Sequence, residues 1–382
     1  MREASGEPRR NNSGEVPARF SRCLAAWLVL LAVIAPGSVF AAVPAGPRLV
    51  TVSLTDVTRK HKGERDLSRL SLRTFGPSGA QSRLLLDAPL EPGRGEVGPV
   101  PFNGPSWSAD GSLLAFAGSS GSVKQVYVIG ADGSGLRPVP GTKNGTEPVL
   151  SPDGHTIAFS RTRFRSHINL KDPLRTRFYA STTTWIGDLG GGRPRRLSDW
   201  RNGLESTPGS FSPDGNVLAL TVRDDRLDGP RVMLAPLGGR PATELVQLAA
   251  EPAFSPDGSR VVFVGYGDRD TVHAEENHDY AAGEIYTVGV DGSGLKRLTR
   301  SKGILESAPS WDPSGRRLAF VRARGSTGFV PELDGLFPFG NAIVQINADG
   351  SCPTEILSLP RVALYGVAWQ PGPGREASPI SC

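Results

Sequence analysis

A tetrapeptide, Ser-Pro-Asp-Gly, returns at one fixed place in a repeating unit and limits this chain to very few folds. It stands intact at residues 151–154, 212–215 and 255–258. Two variants extend the series, Ser108-Ala109-Asp110-Gly111 and Asp312-Pro313-Ser314-Gly315, the second with Asp where the others have Ser. A proline and then Trp107, Leu150, Phe211, Phe254 or Trp311 lies ahead of each copy, and an apolar triplet such as Leu114-Ala115-Phe116 lies behind. A self-similar unit of this length builds a solenoid or a propeller.

The unit's chemistry selects between them. Pro presets φ, Asp bonds its own downstream backbone and Gly takes the positive φ of a tight turn, so each copy joins two strands of a hairpin. The second strand is apolar at consecutive positions, as in a strand covered on both faces. A second hairpin follows, clearest at Val126-Tyr127-Val128-Ile129 before Asp132-Gly133 and at Ile285-Tyr286-Thr287-Val288 before Asp291-Gly292. Four strands per unit make a propeller blade. Spacings of 43 residues fit one blade, and gaps of 61 and 57 residues hold insertions.

Tyr365-Gly366-Val367-Ala368-Trp369 begins a sixth blade that the chain does not finish. Its other strands are predicted at Leu49–Leu54, Leu70–Phe75 and Leu84–Leu86, so both ends of the chain share it and the ring has no open edge. The expectation is an all-β, six-bladed propeller over residues 48–371, with a tail at 372–382.

These repeats resemble the TolB-like, WD40-like (PD40) β-propeller family, whose unit reads as an aromatic, Ser-Pro-Asp-Gly, two variable residues and Ile-Ala-Phe. The family includes periplasmic TolB, a partner of envelope lipoproteins, and propellers attached to peptidases. The resemblance implies a binding or scaffold role. With 48 residues before the first predicted strand and 13 after Trp369, the expectation is a propeller without the α/β domain of TolB or the hydrolase domain of the peptidases.

Residues 1–41 order themselves as a signal peptide: basic up to Arg22, apolar from Leu24 to Ala35, then small residues with cleavage after Ala41. The alternative is an uncleaved anchor, which would be the only membrane contact. Export makes the protein periplasmic, cell-surface or secreted. Cys352 and Cys382 would then meet an oxidising compartment, where they either form a disulfide that ties down the tail or remain two free thiols. The formal net charge is +5, of which residues 1–41 supply +2; the +3 that remains does not argue for nucleic acid. A monomer is expected.

The insertions fall between second and third strands, at Thr55–Arg69, Arg161–Thr183, Gly265–Gly283 and Arg322–Asn341, and so gather on one face, where scaffolds carry function. Arg161, Arg163, Arg165, Lys171, Arg175 and Arg177 make one insertion basic, while Asp268–Glu284 holds six acids against Arg269. This is either a bipolar rim for a charged partner or two loops that pair with each other or with solvent. The acidic insertion contains His273, Glu275, Glu276, His278 and Asp279, which are metal-binding residue types at a spacing that fits no metal motif. No metal and no cofactor is expected.

Glu147, Glu205, Glu251 and Glu306 precede first-strand prolines by one or three residues. They either ring the mouth of the central channel, attracting a cation or a basic peptide, or cap strand starts locally. None of the five histidines forms a catalytic constellation, and no nucleophile elbow is present. The expected function is therefore an exported binding or scaffold protein for a protein, peptide or glycan partner. The alternative is a hydrolase or lyase of extracellular carbohydrate or peptide that uses channel carboxylates.

Overall fold

In the computed structural model the chain divides into Met1–Val43 and Pro44–Cys382. The described residues all belong to the second unit: 48–55, 69–89, 96–100, 104–167, 177–197, 204–224, 229–266, 283–301, 304–323, 329–330, 335–336, 340–359, 362–371 and 378–382. The N-terminal segment read as a leader lies outside them. Among the described residues every regular element is a strand, and no helix is long and apolar enough to cross a membrane.

The strands form six blades. Blade 1 has a first strand in two pieces, Gly98–Pro99 and Ser106–Trp107, then Leu113–Ser120, Val123–Gly130 and Arg137–Pro138. Blade 2 consists of Gly145–Leu150, Thr156–His167, Arg177–Asp188 and Arg195–Arg196. Blade 3 runs through Leu204–Phe211, Val217–Asp224, Arg231–Pro236 and Thr243–Gln247, and blade 4 through Ala249–Phe254, Arg260–Gly265, Glu284–Gly289 and Lys296–Arg297. Blade 5 is Glu306–Trp311, Arg317–Arg322, Ala342–Asn347 and Thr354–Ser358. Blade 6 takes its first strand, Ala363–Trp369, from the C-terminal end and pairs it with Leu49–Thr55, followed by Arg69–Phe75 and Arg83–Pro89.

Six apolar clusters lie at the six blade-to-blade interfaces, which is how a ring of sheets buries its strands on both faces. Leu114 and Phe116 of blade 1 pack on Val52, Leu70 and Leu72 of blade 6; Val126 and Val128 of the same blade pack on Ile157 and Phe159 of blade 2. The cluster of Leu49, Val321, Ile343 and Trp369 joins blade 5 to blade 6 and completes the circle. Consecutive apolar residues on each second strand are thereby consumed on alternate faces, and Phe116, Phe159, Phe263 and Phe320 are among the largest fully buried side chains.

The repeated turn holds its shape through its serine as much as through Pro-Asp-Gly. In residues 151–156 the Gly154 N–H donates to Ser151 O (3.0 Å) with Gly154 at φ 70°, while Asp153 Oδ1 accepts from the His155 N–H. Ser151 Oγ donates to Asp153 and accepts from the Thr156 N–H (2.9 Å). Equivalent bonds recur at Ser108, Ser212 and Ser255. In the variant turn Asp312 Oδ1 accepts from Arg317 N at 3.0 Å, so Asp stands at the Ser position because it supplies the same acceptor oxygen.

Two insertions read as loops contain strand. Arg161–His167 and Arg177–Thr183 continue the second and third strands of blade 2 in unbroken register, from Arg161↔Thr183 to His167↔Arg177. β-Branched and aromatic residues at Thr162, Phe164, Phe178, Tyr179 and Thr182 suit this extension. Within 322–341, Phe329–Val330 pairs with Gly335–Leu336. Cys352 and Cys382 are joined in a disulfide with their Cα atoms 4.9 Å apart. Asn347 also grips the tail, exchanging two hydrogen bonds with the Ile380 backbone (2.7 and 3.0 Å).

Candidate functional site

The first strands surround the propeller axis, and each described first strand of blades 2 to 6 carries a bulge where its register against the second strand shifts. An extra residue at a bulge re-aims the side chains beside it. At three bulges a non-glycine residue directly before the proline has positive φ: Glu147 (50°), Glu251 (54°) and Ala308 (52°). Positive φ at a residue with a Cβ is a conformation the surroundings must impose. Close packing of the first strands is one such constraint, since a Cβ on Gly209 would lie 2.2 Å from Pro252 O, and one on Gly366 2.5 Å from Gly104 Cα.

The residue before the last apolar residue of each first strand alternates around the ring: Ser106, Val149, Ser210, Ala253, Ser310, Ala368. Each serine hydroxyl accepts from the backbone N–H of the next blade's first strand, at Leu150 (3.1 Å), Phe254 (2.8 Å) and Trp369 (3.2 Å). Blades 1–2, 3–4 and 5–6 are stitched in this way.

The four glutamates separate into two kinds. Glu147 and Glu251 sit on bulges with left-handed backbone. Glu205 and Glu306 instead lie in regular register opposite an arginine, Glu205↔Arg223 and Glu306↔Arg322. Glu147, Glu205 and Glu251 are brought together electrostatically around Arg223. Burial pushes the half-buried Glu147 carboxyl up from the ordinary glutamate range; Ser160 Oγ, donating at 2.6 Å, and Arg223 pull it back, while Glu251 and Glu205 push it further up. Glu251 is raised by the same enclosure, against a hydrogen bond from the Ala308 N–H and the charge of Arg223. Glu251 is nevertheless exposed to solvent.

Glu306 is drawn into a different environment. It is fully buried, with Oε1 accepting from Arg322 Nε (3.0 Å) and Nη2 (2.7 Å) and from Ser301 Oγ (2.7 Å). Its Oε2 is buried without a partner. Burial raises the carboxyl of Glu284, with the Ser301 N–H opposing the shift and the Glu306 charge adding to it. Glu284 pairs with Arg297.

Among the basic residues, Arg161 is a packing residue. Its guanidinium lies over Trp185 (4.5 Å) and Phe159 (5.0 Å) and donates to Gly141 O. Arg322, also two residues past a core phenylalanine, lies over Phe320 at 5.4 Å; it has Glu306 opposite, whereas Arg161 has Gly145. Arg163 is exposed. Arg165 and Arg177 are placed by register alone. Lys171, Arg175 and the acidic insertion with His273, Glu275, Glu276, His278 and Asp279 lie outside the described residues. Among the described residues no three His, Cys, Asp or Glu side chains form a group able to hold a metal ion.

Residue spacing did not reveal Arg223, Ser160 or the Ala308 N–H as partners of the carboxylates. The only signal was Arg223 itself, a charge closing an apolar second strand.

Comparison with protein-family models finds no match. Among curated proteins the chain is 23% identical over 277 residues to the Tol-Pal system protein TolB of Francisella tularensis, covering 71% of this chain and 54% of that protein. A 79-residue stretch is 37% identical to dipeptidyl-peptidase 5 of Porphyromonas gingivalis, covering 20% of this chain and 10% of the peptidase. The chain thus spans about half the length of the TolB proteins it matches. Among solved structures it superposes on TolB from Acinetobacter baumannii with a TM-score of 0.60 at 16% identity, over 85% of this chain and 66% of that one. A putative TolB from Agrobacterium tumefaciens gives 0.53 at 17% identity, over 84% and 98%. The chain has a six-bladed β-propeller fold similar to that of the TolB structures.

Proposed function

We propose that this TolB-like propeller is an exported binding module of the cell envelope or extracellular space, and that it recognises a protein or peptide partner on the face bearing its second-to-third connections. The observation that carries the reading is the collection of Glu147, Glu205 and Glu251 around Arg223 at the first strands. Three carboxylates beside one guanidinium leave an excess of negative charge once they ionise, and a cation or a basic segment of a partner favours that ionised form. Similarity to TolB proteins named for the Tol-Pal system supports the scaffold role and the envelope location. A hydrolase or lyase reading draws on the same raised carboxyls, since burial that favours the protonated form also favours an acid catalyst.

One experiment separates the two. The exported chain, and a variant with Glu147, Glu205 and Glu251 all changed to Gln, are used for cross-linked capture from envelope extracts and for turnover of polysaccharide and peptide panels. A partner captured by the parent and lost by the variant, without turnover, is the expected result. Turnover that disappears in the variant, with no partner captured, would replace the binding reading with the enzymatic one.

A further inference from the structure

We infer that the basic side of the blade 2 ribbon is a docking ledge for an extended, acidic peptide segment. The inference rests on the propeller acting as a binding module and adds the chemistry of one partner segment. The second and third strands of blade 2 are twelve residues each, against six to eight in the corresponding strands of the other blades. The ladder of the first strand ends at Gly145↔Arg161, and the fourth strand pairs only with Trp185 and Ile186. Residues 162–167 and 177–182 ladder with each other beyond that point.

The position of blade 1 determines what lies beside this ribbon. Phe159 is on the side of blade 2 that packs against Ala115, Val126 and Val128 of blade 1, and Arg161 reaches Gly141 O of the same blade. Blade 1 itself ends early, with its second and third strands joined at the tight turn Ser120↔Val123. Period-two alternation continues the Phe159 and Arg161 face through Arg163, Arg165 and His167, which lie in register with Ser181, Tyr179 and Arg177. This face passes the end of blade 1. Arg163 is exposed on it, and the turn below offers Val123, 37% exposed, and an exposed Lys124. No acidic residue occupies a position on this face from 159 to 167 or from 177 to 185.

The repeat distance selects the occupant. Alternate strand positions recur about every 6.8 Å, which is also the spacing of side chains along one side of an extended peptide. Carboxylates at every second residue of such a peptide would meet guanidinium groups in step, and a guanidinium binds a carboxylate through two parallel hydrogen bonds. The carboxyls of Glu147, Glu205 and Glu251 offer an acidic segment no counter-charge beyond Arg223, whereas the ledge does.

Fluorescence anisotropy on the full chain provides the test, using a labelled twelve-residue peptide with Glu and Thr alternating and a second of the same composition with its Glu residues in one block. The alternating peptide should bind at least tenfold tighter and weaken as salt rises. Arg163→Ala and Arg165→Ala should each reduce its affinity roughly fivefold, the upper end for exposed ion pairs. Arg137→Ala and Arg240→Ala, on the opposite face, should leave it unchanged, and equal melting temperatures confirm that every variant is folded. Equal affinity for the two peptides, indifference to Arg163 and Arg165, no binding, or preference for polygalacturonate over peptide would each overturn the ledge. A partner captured through the Glu147, Glu205 and Glu251 group while the peptides fail would sink the ledge and leave the binding module standing; peptide binding without such capture would keep the ledge and remove the glutamate group as the partner site.

Discussion

The C-terminal strand that closes the ring is enclosed by the Cys352–Cys382 disulfide, and the stabilisation this confers can be worked from the loop. The bridge spans 30 residues and contains all of Ala363–Trp369. Cross-linking a loop of that length removes about 12 cal/mol/K from the unfolded chain on the loop-entropy relation, or about 3.6 kcal/mol at 25 °C. Ala363–Trp369 is also the only partner of Leu49–Thr55 on its inner side, in register from Leu49↔Trp369 to Leu54↔Ala363. Once the bridge is open, the closing strand is held by its ladder, its core contacts at Leu364, Val367 and Trp369, and the Asn347 grip on Ile380. A Cys352→Ser/Cys382→Ser double variant should therefore melt about 5 °C lower, given the unfolding entropy of a domain of this size. Guanidinium denaturation of oxidised, reduced and double-serine protein, with thiol titration of each, is the assay. The reduced and double-serine forms should coincide below the oxidised form. Equal midpoints in all three, with two titratable thiols in unreduced protein, would refute the argument.

Glu147 and Glu251 are both raised by burial, so their protonated forms suit the folded state; their stabilisation is complete below about pH 4.5 and is lost as pH rises through the raised values. Glu147→Gln and Glu251→Gln should accordingly raise the melting temperature more at pH 8 than at pH 4, and an equal effect at both would contradict the enclosure. Arg322→Ala leaves the fully buried Glu306 without its ion partner and should cost about 3–5 kcal/mol in chemical denaturation, whereas replacing both residues with apolar ones should recover much of the loss. Ser106→Ala, Ser210→Ala and Ser310→Ala each remove the acceptor of a neighbouring blade's N–H. Each should cost about 1–2 kcal/mol, and losses near zero in all three would show that the serine stitches do not hold the ring together.

Much of the fold was legible along the chain because its determinants are local. Each turn is fixed within six residues, from the Ser or Asp acceptor to the N–H five positions on. Consecutive apolar residues on the second strands identified sheets covered on both faces, and the unfinished repeat at Tyr365–Trp369 pointed to strands at the other end of the chain. The blade 2 insertion was misread as a loop because polar and basic residues occupy alternate positions of strands that stand beyond their neighbours, where no core imposes an apolar pattern. The candidate carboxylate site was only half visible. Proximity to a first-strand proline singled out four glutamates, but not that two lie on bulges and two face arginines.

The sequence by itself determined the blade: its turns, its four strands and the sharing of one sheet by both chain ends follow from bonds and burial between near neighbours in the repeat. Only the tertiary structure decided which charges meet. Whether Glu306 is neutralised by Arg322 or Arg223 is shared among three carboxylates depends on strand register and on bulges imposed by close-packed first strands. Those constraints act between residues tens to more than a hundred positions apart, and they leave no periodic trace in the chain.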